Sequence, residues 1–210
     1  MPISVQISEN CLNTGNPPRL ADAGSVQSLR TLLRQSTADQ HAELDADVSA
    51  LVSEHDIGYI SFLRASAAAL IPIEHALEAA HVASMLPDWS ARTRRRALIR
   101  DLIDLGESAD APLCFPAIET EAFGFGVLYV LEGSRLGAPS LARLLSEQSS
   151  SRISLASRYL NHGTGQRLWP TFLQYLEQAQ PVRNAPRDAI AGARLAFATF
   201  SAAYSKVSRT

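Results

Sequence analysis

The sequence predicts an all-α protein that forms a single domain. Apolar residues recur at helical spacings of three, four and seven along most of the chain. No stretch keeps the period-two alternation of a half-buried strand, and no internal repeat is present. With 210 residues, 46% of them hydrophobic, the chain is long enough to bury one sizeable core. We therefore predict a multi-helical bundle of about six or seven helices.

Composition excludes several classes of protein. The net charge of -2 lacks the basic field of a nucleic-acid binder. Cys11 and Cys114 are far apart and lack metal-site spacing, which favours a reducing compartment without disulfides. Neither a signal-peptide pattern nor an apolar run of 18 residues is present. We expect a cytoplasmic protein whose partners include neither nucleic acid nor membrane.

The first predicted helix carries an unusual polar patch. Residues 1–24 are rich in Asn, Gly, Pro and Ser and are predicted to be a mobile arm before a helical domain over residues 25–210. Ser25 is placed to cap a helix over about 26–52. The apolar stripe of this helix is interrupted midway by Ser36, Thr37, Gln40 and His41. A buried face would not ordinarily contain such a patch.

Later helices follow from periodicity and end signals. We place them at about 59–81, 90–105, 118–147, 165–179 and 187–206, with a short segment at 155–160. Ser90 should cap the second of these and Gly106 should end it. The helix over 118–147 has a predicted break near Gly124 and Gly126.

Two further glycines in that helix, Gly133 and Gly137, call for an explanation. Each glycine inside a helix costs about 0.5–1 kcal/mol relative to alanine. Because they are four residues apart, they share one face, which could let a flat ligand lie against the backbone. The alternative is a close crossing with another helix. The residues alone leave both interpretations open.

His41 is the candidate ligand. A histidine on an apolar stripe is most often a hydrogen-bonded core residue, but Asp45 follows one turn later and could accept from its Nδ1. That contact would leave Nε2 free to bind a metal. Arg34, about 10 Å earlier along the axis, could meet a carboxylate at the rim of a flat ligand. We expect His55 and His162 to be solvated.

Two motifs together resemble the heme oxygenase family. The stretch LRQSTADQHAELD resembles the proximal helix of that family at Leu33, Arg34, Thr37, His41 and Asp45. The stretch LEGSRLGA resembles the distal helix of its bacterial members, with the two glycines at Gly133 and Gly137. Trp169 and Phe172 in a late helix, and the aromatic residues of the last helix, agree with the same pattern.

This resemblance implies a heme-oxygenase-like fold and an enzyme that cleaves heme with O2 and reductant to biliverdin, CO and Fe²⁺. Heme would be substrate and cofactor, with His41 as the axial iron ligand and Asp45 supporting it. The implied cofactor-binding residues are Arg34, Thr37, His41, Tyr129, Gly133 and Gly137, and the implied catalytic residues are Gly133, Ser134 and Gly137. The implied partners are an electron donor such as a ferredoxin or a reductase, and a bilin-binding photoreceptor that would use the product.

Departures from the family pattern keep other functions open. Ser134 stands where mammalian members have Asp, and a second basic partner for the propionates is not evident, with Arg167 the candidate. The alternative is a catalytically inactive heme-binding protein on the same fold. A third hypothesis, a cofactor-free all-α relative, is opposed by the pairing of His41 with Asp45.

Overall fold

The computed structural model of the protein describes residues 27–148, 153 and 155–207. These residues form α-helices and one 3₁₀ turn, with no strand among them, so the predicted all-α class is confirmed. The helices are α1 (Leu29–Ser36), α2 (Ala38–Val52), α3 (His55–Ala79), α4 (Val82–Met85), α5 (Trp89–Arg92), α6 (Arg95–Asp104), α7 (Glu121–Gly133), α8 (Ala138–Gln148), α9 (Leu168–Gln178), α10 (Gln180–Asn184) and α11 (Pro186–Val207). The 3₁₀ turn, Ser134–Leu136, joins α7 to α8.

The first predicted helix is two helices, so a single helix over 26–52 was wrong. The chain bends at Thr37, which is 2% exposed and has a φ of -125°. Its hydroxyl donates to the Leu33 carbonyl at 2.8 Å, a local bond that competes with the helix. Ser28 caps α1 by accepting from the Thr31 backbone N–H. The predicted cap Ser25 and the arm over 1–24 lie outside the described residues.

The helix α3 forms the centre of the bundle. It continues through Pro72, and much of its length consists of buried Ala and Leu. It packs against α2, α6 and α11. Within the described ranges, α3 alone is long and apolar enough to suit a membrane span, but 61% of the relevant window is buried inside the bundle. The core helix of a globular protein meets the same test.

The closest helix crossing is between α7 and α11. A methyl group added to Gly126 would overlap the Ala189 carbonyl, and one added to Gly192 would overlap the Phe123 carbonyl. The two helix backbones therefore approach at positions that only glycine can occupy. The predicted break near Gly124 and Gly126 was wrong, because α7 runs unbroken from Glu121 to Gly133. Packing against α11 stabilises α7, although its glycines lower its helix propensity.

Other predicted boundaries were partly right. Gly106 ends α6 with a φ of 71°, as predicted. Ser90 lies inside α5 rather than capping a helix, and Asp88 precedes that helix instead. Residues 156–160 form a turn rather than a helix. The buried carboxylate of Asp101 holds this turn by accepting the backbone N–H groups of Arg158 and Tyr159 at 3.1 and 2.8 Å.

Candidate functional site

His41 lies on the exposed side of α2. Its Nδ1 is 3.0 Å from an Asp45 carboxylate oxygen, and the two side chains are 62% and 69% exposed. The interpretation as an ordinary core histidine is therefore wrong. A neutral ring that donates its Nδ1 proton to Asp45 presents an unprotonated Nε2, the form that binds a metal. The predicted contact between the two side chains is present.

The ring of Phe197 fixes the other side of His41. Phe197 belongs to α11 and is 4% exposed. Its ring meets the imidazole edge to face, with centroids 5.8 Å apart and an angle of 63° between the planes. Asp45 thus restrains the direction of Nδ1, while Phe197 restrains the ring plane. Two hydrogen bonds join the rest of the polar patch to α11. Gln40 Nε2 donates to the Arg194 carbonyl, and Arg194 Nε donates to the Ser36 carbonyl.

Two guanidinium groups lie along the same edge of the bundle. Arg30 and Arg34 are both exposed and occupy adjacent turns of α1. Burial raises the pKa of Tyr129 on α7, and the charges of Arg30 and Arg34 oppose that rise. Both guanidinium groups are therefore close enough to act on the Tyr129 phenol. The sequence analysis identified Arg34 and Tyr129 but missed Arg30. Arg30 lies four residues before Arg34, a spacing that places both on the same helix face.

The carboxylate of Glu177 fixes α1 in this position. It accepts the backbone N–H groups of Leu29 and Arg30 at 3.2 and 2.9 Å. A negative charge at a helix N-terminus is favoured by both the unpaired N–H groups and the helix dipole. Because Glu177 belongs to α9, which also carries Trp169, the contact ties the two elements that border the site.

The face of Gly133 and Gly137 is open. A methyl group on Gly133 would lie 3.7 Å from the Trp169 ring, an ordinary contact. On Gly137 the nearest atom would be the Ser134 carbonyl oxygen at 3.9 Å. Neither glycine is needed for a close helix crossing, so that alternative fails here. Tyr129 packs on the same indole, with ring centroids 5.7 Å apart.

A buried ionic network supports the turn between the two glycines. Glu132 is 0% exposed and pairs with Arg92 at 2.6 Å and with Arg135 at 2.9 Å. Arg94, 3% exposed, donates to the Leu131 carbonyl and to Ser134 Oγ. Buried charges persist when they are paired and hydrogen-bonded, and truncating one partner is costly. The network therefore fixes the end of α7 and the 3₁₀ turn.

Ser134 and His162 both meet this network. The Ser134 hydroxyl donates to the Leu131 carbonyl at 2.8 Å while accepting from Arg94 at 2.9 Å. His162 is half-buried with Nδ1 3.2 Å from Arg135 Nη1, so the expectation that His162 is solvated was wrong. Burial, followed by the charges of Arg135 and Arg94, lowers the pKa of His162. No sequence pattern links residues 135 and 162, because the fold alone brings them together.

A cavity of about 490 Å³ lies apart from these residues. Its lining is Pro87, Asp88, Thr171, Gln174, Tyr175 and Gln178. None of the predicted site residues contributes to it. We assign the site by its chemistry instead: a free imidazole nitrogen, two guanidinium groups at one edge, and a backbone face without side chains. That set suits a planar, metal-centred ligand that carries carboxylates.

Comparison with known proteins agrees with this chemistry. No protein-family model matches the chain. A heme oxygenase of Xanthomonas campestris pv. campestris is 38% identical over 112 residues, which cover 53% of this chain and 67% of the relative. The heme oxygenase of Neisseria meningitidis, solved with NO and CO bound, matches the fold with a TM-score of 0.71. At 25% identity, that match covers 86% of this chain and 92% of the other.

Proposed function

The chain belongs to the heme oxygenase family, and from that premise we propose that heme binds between α2, with His41 as its iron ligand, and the glycines Gly133 and Gly137 at the end of α7. The enzyme is a heme-degrading oxygenase. The observation that carries the proposed site is the His41–Asp45 contact, because it leaves Nε2 available on an exposed ring. When bound, heme supplies the redox chemistry by which dioxygen and external electrons open its own ring to biliverdin, CO and Fe²⁺.

On the proximal side, two residues set the properties of His41. The Asp45 carboxylate accepts the Nδ1 proton, which makes the imidazole a more basic ligand. Phe197 limits rotation of the ring and thus fixes its plane. Thr37 acts indirectly: it is buried at the bend between α1 and α2, and its hydroxyl donates to the Leu33 carbonyl. We assign Thr37 this positioning role rather than a direct contact.

At the edge, Arg30 and Arg34 are proposed to meet the two carboxylates of heme. Guanidinium groups bind carboxylates through charge-assisted, often bidentate hydrogen bonds. Burial raises the pKa of Tyr129, so its phenol stays protonated and can donate a third hydrogen bond. Arg30 takes the place that sequence reasoning had considered for Arg167. Together these donors would set the rotation of the ring about the iron axis.

On the distal side, Gly133 and Gly137 provide a surface without side chains. The ring could lie against this backbone while small ligands still fit above it. Ser134 is assigned to hold the turn, since its hydroxyl already bonds to Leu131 and Arg94. The indole ring of Trp169 lies beside Gly133 and would border the ligand there.

The proposal includes partners and location. Ring opening consumes electrons that must come from outside, so we propose a ferredoxin or a reductase as donor. A bilin-binding photoreceptor is the proposed user of the product, and the cytoplasm is the proposed location because both the donor and heme are available there.

Turnover of the hemin complex tests the function. With ascorbate or a ferredoxin system as reductant, we expect the Soret band to decay while a broad red absorption of biliverdin grows. CO release, trapped with myoglobin, should accompany it. A protein that binds hemin through His41 but forms no biliverdin with either reductant would instead be the inactive heme-binding alternative.

A further inference from the structure

The contact between His162 and Arg135 fixes the protonation state of the imidazole. A guanidinium group can only donate hydrogen bonds, so His162 Nδ1, 3.2 Å from Arg135 Nη1, must be the acceptor. The ring in this contact is therefore neutral, with its single proton on Nε2. A second proton at Nδ1 would place two donors and two positive charges against each other. Protonation and the contact exclude one another.

The loop around His162 is built to hold this contact. Gly163 and Gly165 both have positive φ, 79° and 80°, a backbone conformation that favours glycine. A methyl group on Gly163 would also overlap a Leu168 methyl group. Two hydrogen bonds also hold the loop. The Thr171 hydroxyl donates to the Arg167 carbonyl, and the Gln166 N–H donates to the Gly163 carbonyl. The position of His162 is thus set by the backbone on its own side of the contact.

Arg135 is equally constrained on the other side. Its Nε and Nη2 both bind Glu132, at 3.0 and 2.9 Å, and Nη2 also donates to the Arg92 carbonyl. Only Nη1 points at His162. Arg135 lies between Gly133 and Gly137 in the 3₁₀ turn. Because Arg135 belongs to this turn, a displacement of Arg135 also displaces the backbone next to Gly133 and Gly137.

Charged groups around His162 have mixed signs. Arg135 and Arg94 disfavour a positive imidazole, while Glu74 and Glu132 favour it. Burial is the largest effect, and the net result is a pKa below the ordinary value of about 6.5. The neutral form therefore prevails at neutral pH, and the charged form prevails only at pH values below 6.5.

We propose that His162 is a positioning residue for the distal turn: its neutral imidazole restrains Arg135, and thereby Ser134–Leu136 and the flanking glycines, and its protonation removes this restraint and leaves the turn held by the ionic network alone. The consequence for heme rests on the proposed distal role of Gly133 and Gly137. The contact itself does not, because it joins two side chains of the protein. In acid, the loop and the turn should separate, and the ring should be less narrowly oriented.

The contact is tested first without heme. In ¹⁵N-resolved NMR of the heme-free protein, we expect His162 to titrate below pH 6.5 with Nδ1 as the unprotonated nitrogen. Backbone amide signals of Ser134 and Arg135 should shift with the same midpoint. A midpoint at or above 6.5, a proton on Nδ1 in the neutral form, or amide signals of the turn that ignore the titration would each overturn the proposal.

The hemin complex then tests the consequence. His162→Gln keeps a side-chain oxygen that can accept from Arg135 but cannot titrate, whereas His162→Leu removes the acceptor. We expect the wild-type Soret band and the biliverdin isomer ratio to change with the midpoint found by NMR. In His162→Gln this pH dependence should be lost, with values fixed near those of wild type at neutral pH. His162→Leu should have, at all pH values, the isomer ratio of acidified wild type.

A matched control is His75→Gln, an exposed histidine on α3, which should leave the pH dependence intact. If His162→Gln retains the wild-type pH dependence, the proposal is wrong. If no biliverdin forms in any variant, the proposed function fails, but the NMR midpoint and the Soret band still decide the role of His162. The two failures are thus distinguishable.

Discussion

At the scale of single residues, we propose that the exposed charges of α1 orient heme. An isolated surface arginine usually contributes little, because water and salt screen its charge. Arg30 and Arg34 differ in that both act on the same half-buried phenol, Tyr129, and so share one edge of the proposed site. The sequence revealed Arg34 through its spacing from His41. Arg30 required the structure, since only the orientation of α1 against α7 shows which side its side chain faces.

We therefore predict that charge reversal at either position weakens heme binding. Arg34→Glu and Arg30→Glu should each raise the dissociation constant of hemin about tenfold or more, equivalent to about 1.4 kcal/mol or more. Arg96→Glu, an exposed arginine on α6, is the matched control and should bind as wild type. Titration of hemin at low and high salt measures this. Equal affinities for the Arg34, Arg30 and Arg96 variants would return both residues to the solvated surface.

At the scale of elements, the glycines of α7 and of the 3₁₀ turn that follows it divide into two classes. Gly126, with Gly192 of α11, permits a backbone crossing, whereas Gly133 and Gly137 face open space or an indole ring. Periodicity predicted the helix and placed all these glycines in it, but it could not separate the classes, because the partner helix is more than fifty residues away in sequence. The bend at Thr37 was also hidden, because neither a proline nor a glycine marks it in the sequence.

The two classes predict opposite responses to alanine. Gly126→Ala should destabilise the protein strongly, because a methyl group would overlap the Ala189 carbonyl. Gly133→Ala and Gly137→Ala should be neutral or stabilising by up to about 1 kcal/mol, while slowing heme cleavage or changing the biliverdin isomer. Urea denaturation and product analysis check both parts. If Gly133→Ala and Gly137→Ala are as active and as regioselective as wild type, the two glycines do not form the distal surface of the heme site.

At the scale of the whole molecule, tertiary contacts convert local charges into a pH-dependent stability. The folded state lowers the pKa of His162 below about 6.5. Above pH 6.5 the ring is neutral in both the folded and the unfolded state, and its full contribution to the free energy of unfolding is present. As the pH falls, the unfolded chain takes up the proton first, so stability is lost until the folded pKa is reached. His162→Gln should lose this part of the slope in urea midpoints measured from pH 7.5 downward. An identical slope in the two proteins would contradict the assignment.

The sequence predicted the all-α class and the pairing of His41 with Asp45, because these depend on periodicity and on spacing within one helix. It also identified Gly133 and Gly137. The ionic network of Glu132, Arg92 and Arg135 and the approach of His162 were beyond it, since they join segments that only the fold brings together. The described residues therefore add to the predicted proximal and distal motifs the supports that hold each in place.

The central claim is that His41 binds the heme iron, and ligand replacement tests it most directly. His41→Ala should remove the nitrogen ligand while leaving the fold intact, because the side chain is exposed. We predict that the hemin complex of His41→Ala has an altered Soret band and that added imidazole restores the wild-type band. His55→Ala, another exposed histidine, is the control and should match wild type with or without imidazole. A His41→Ala complex with an unchanged Soret band and no response to imidazole would contradict the account.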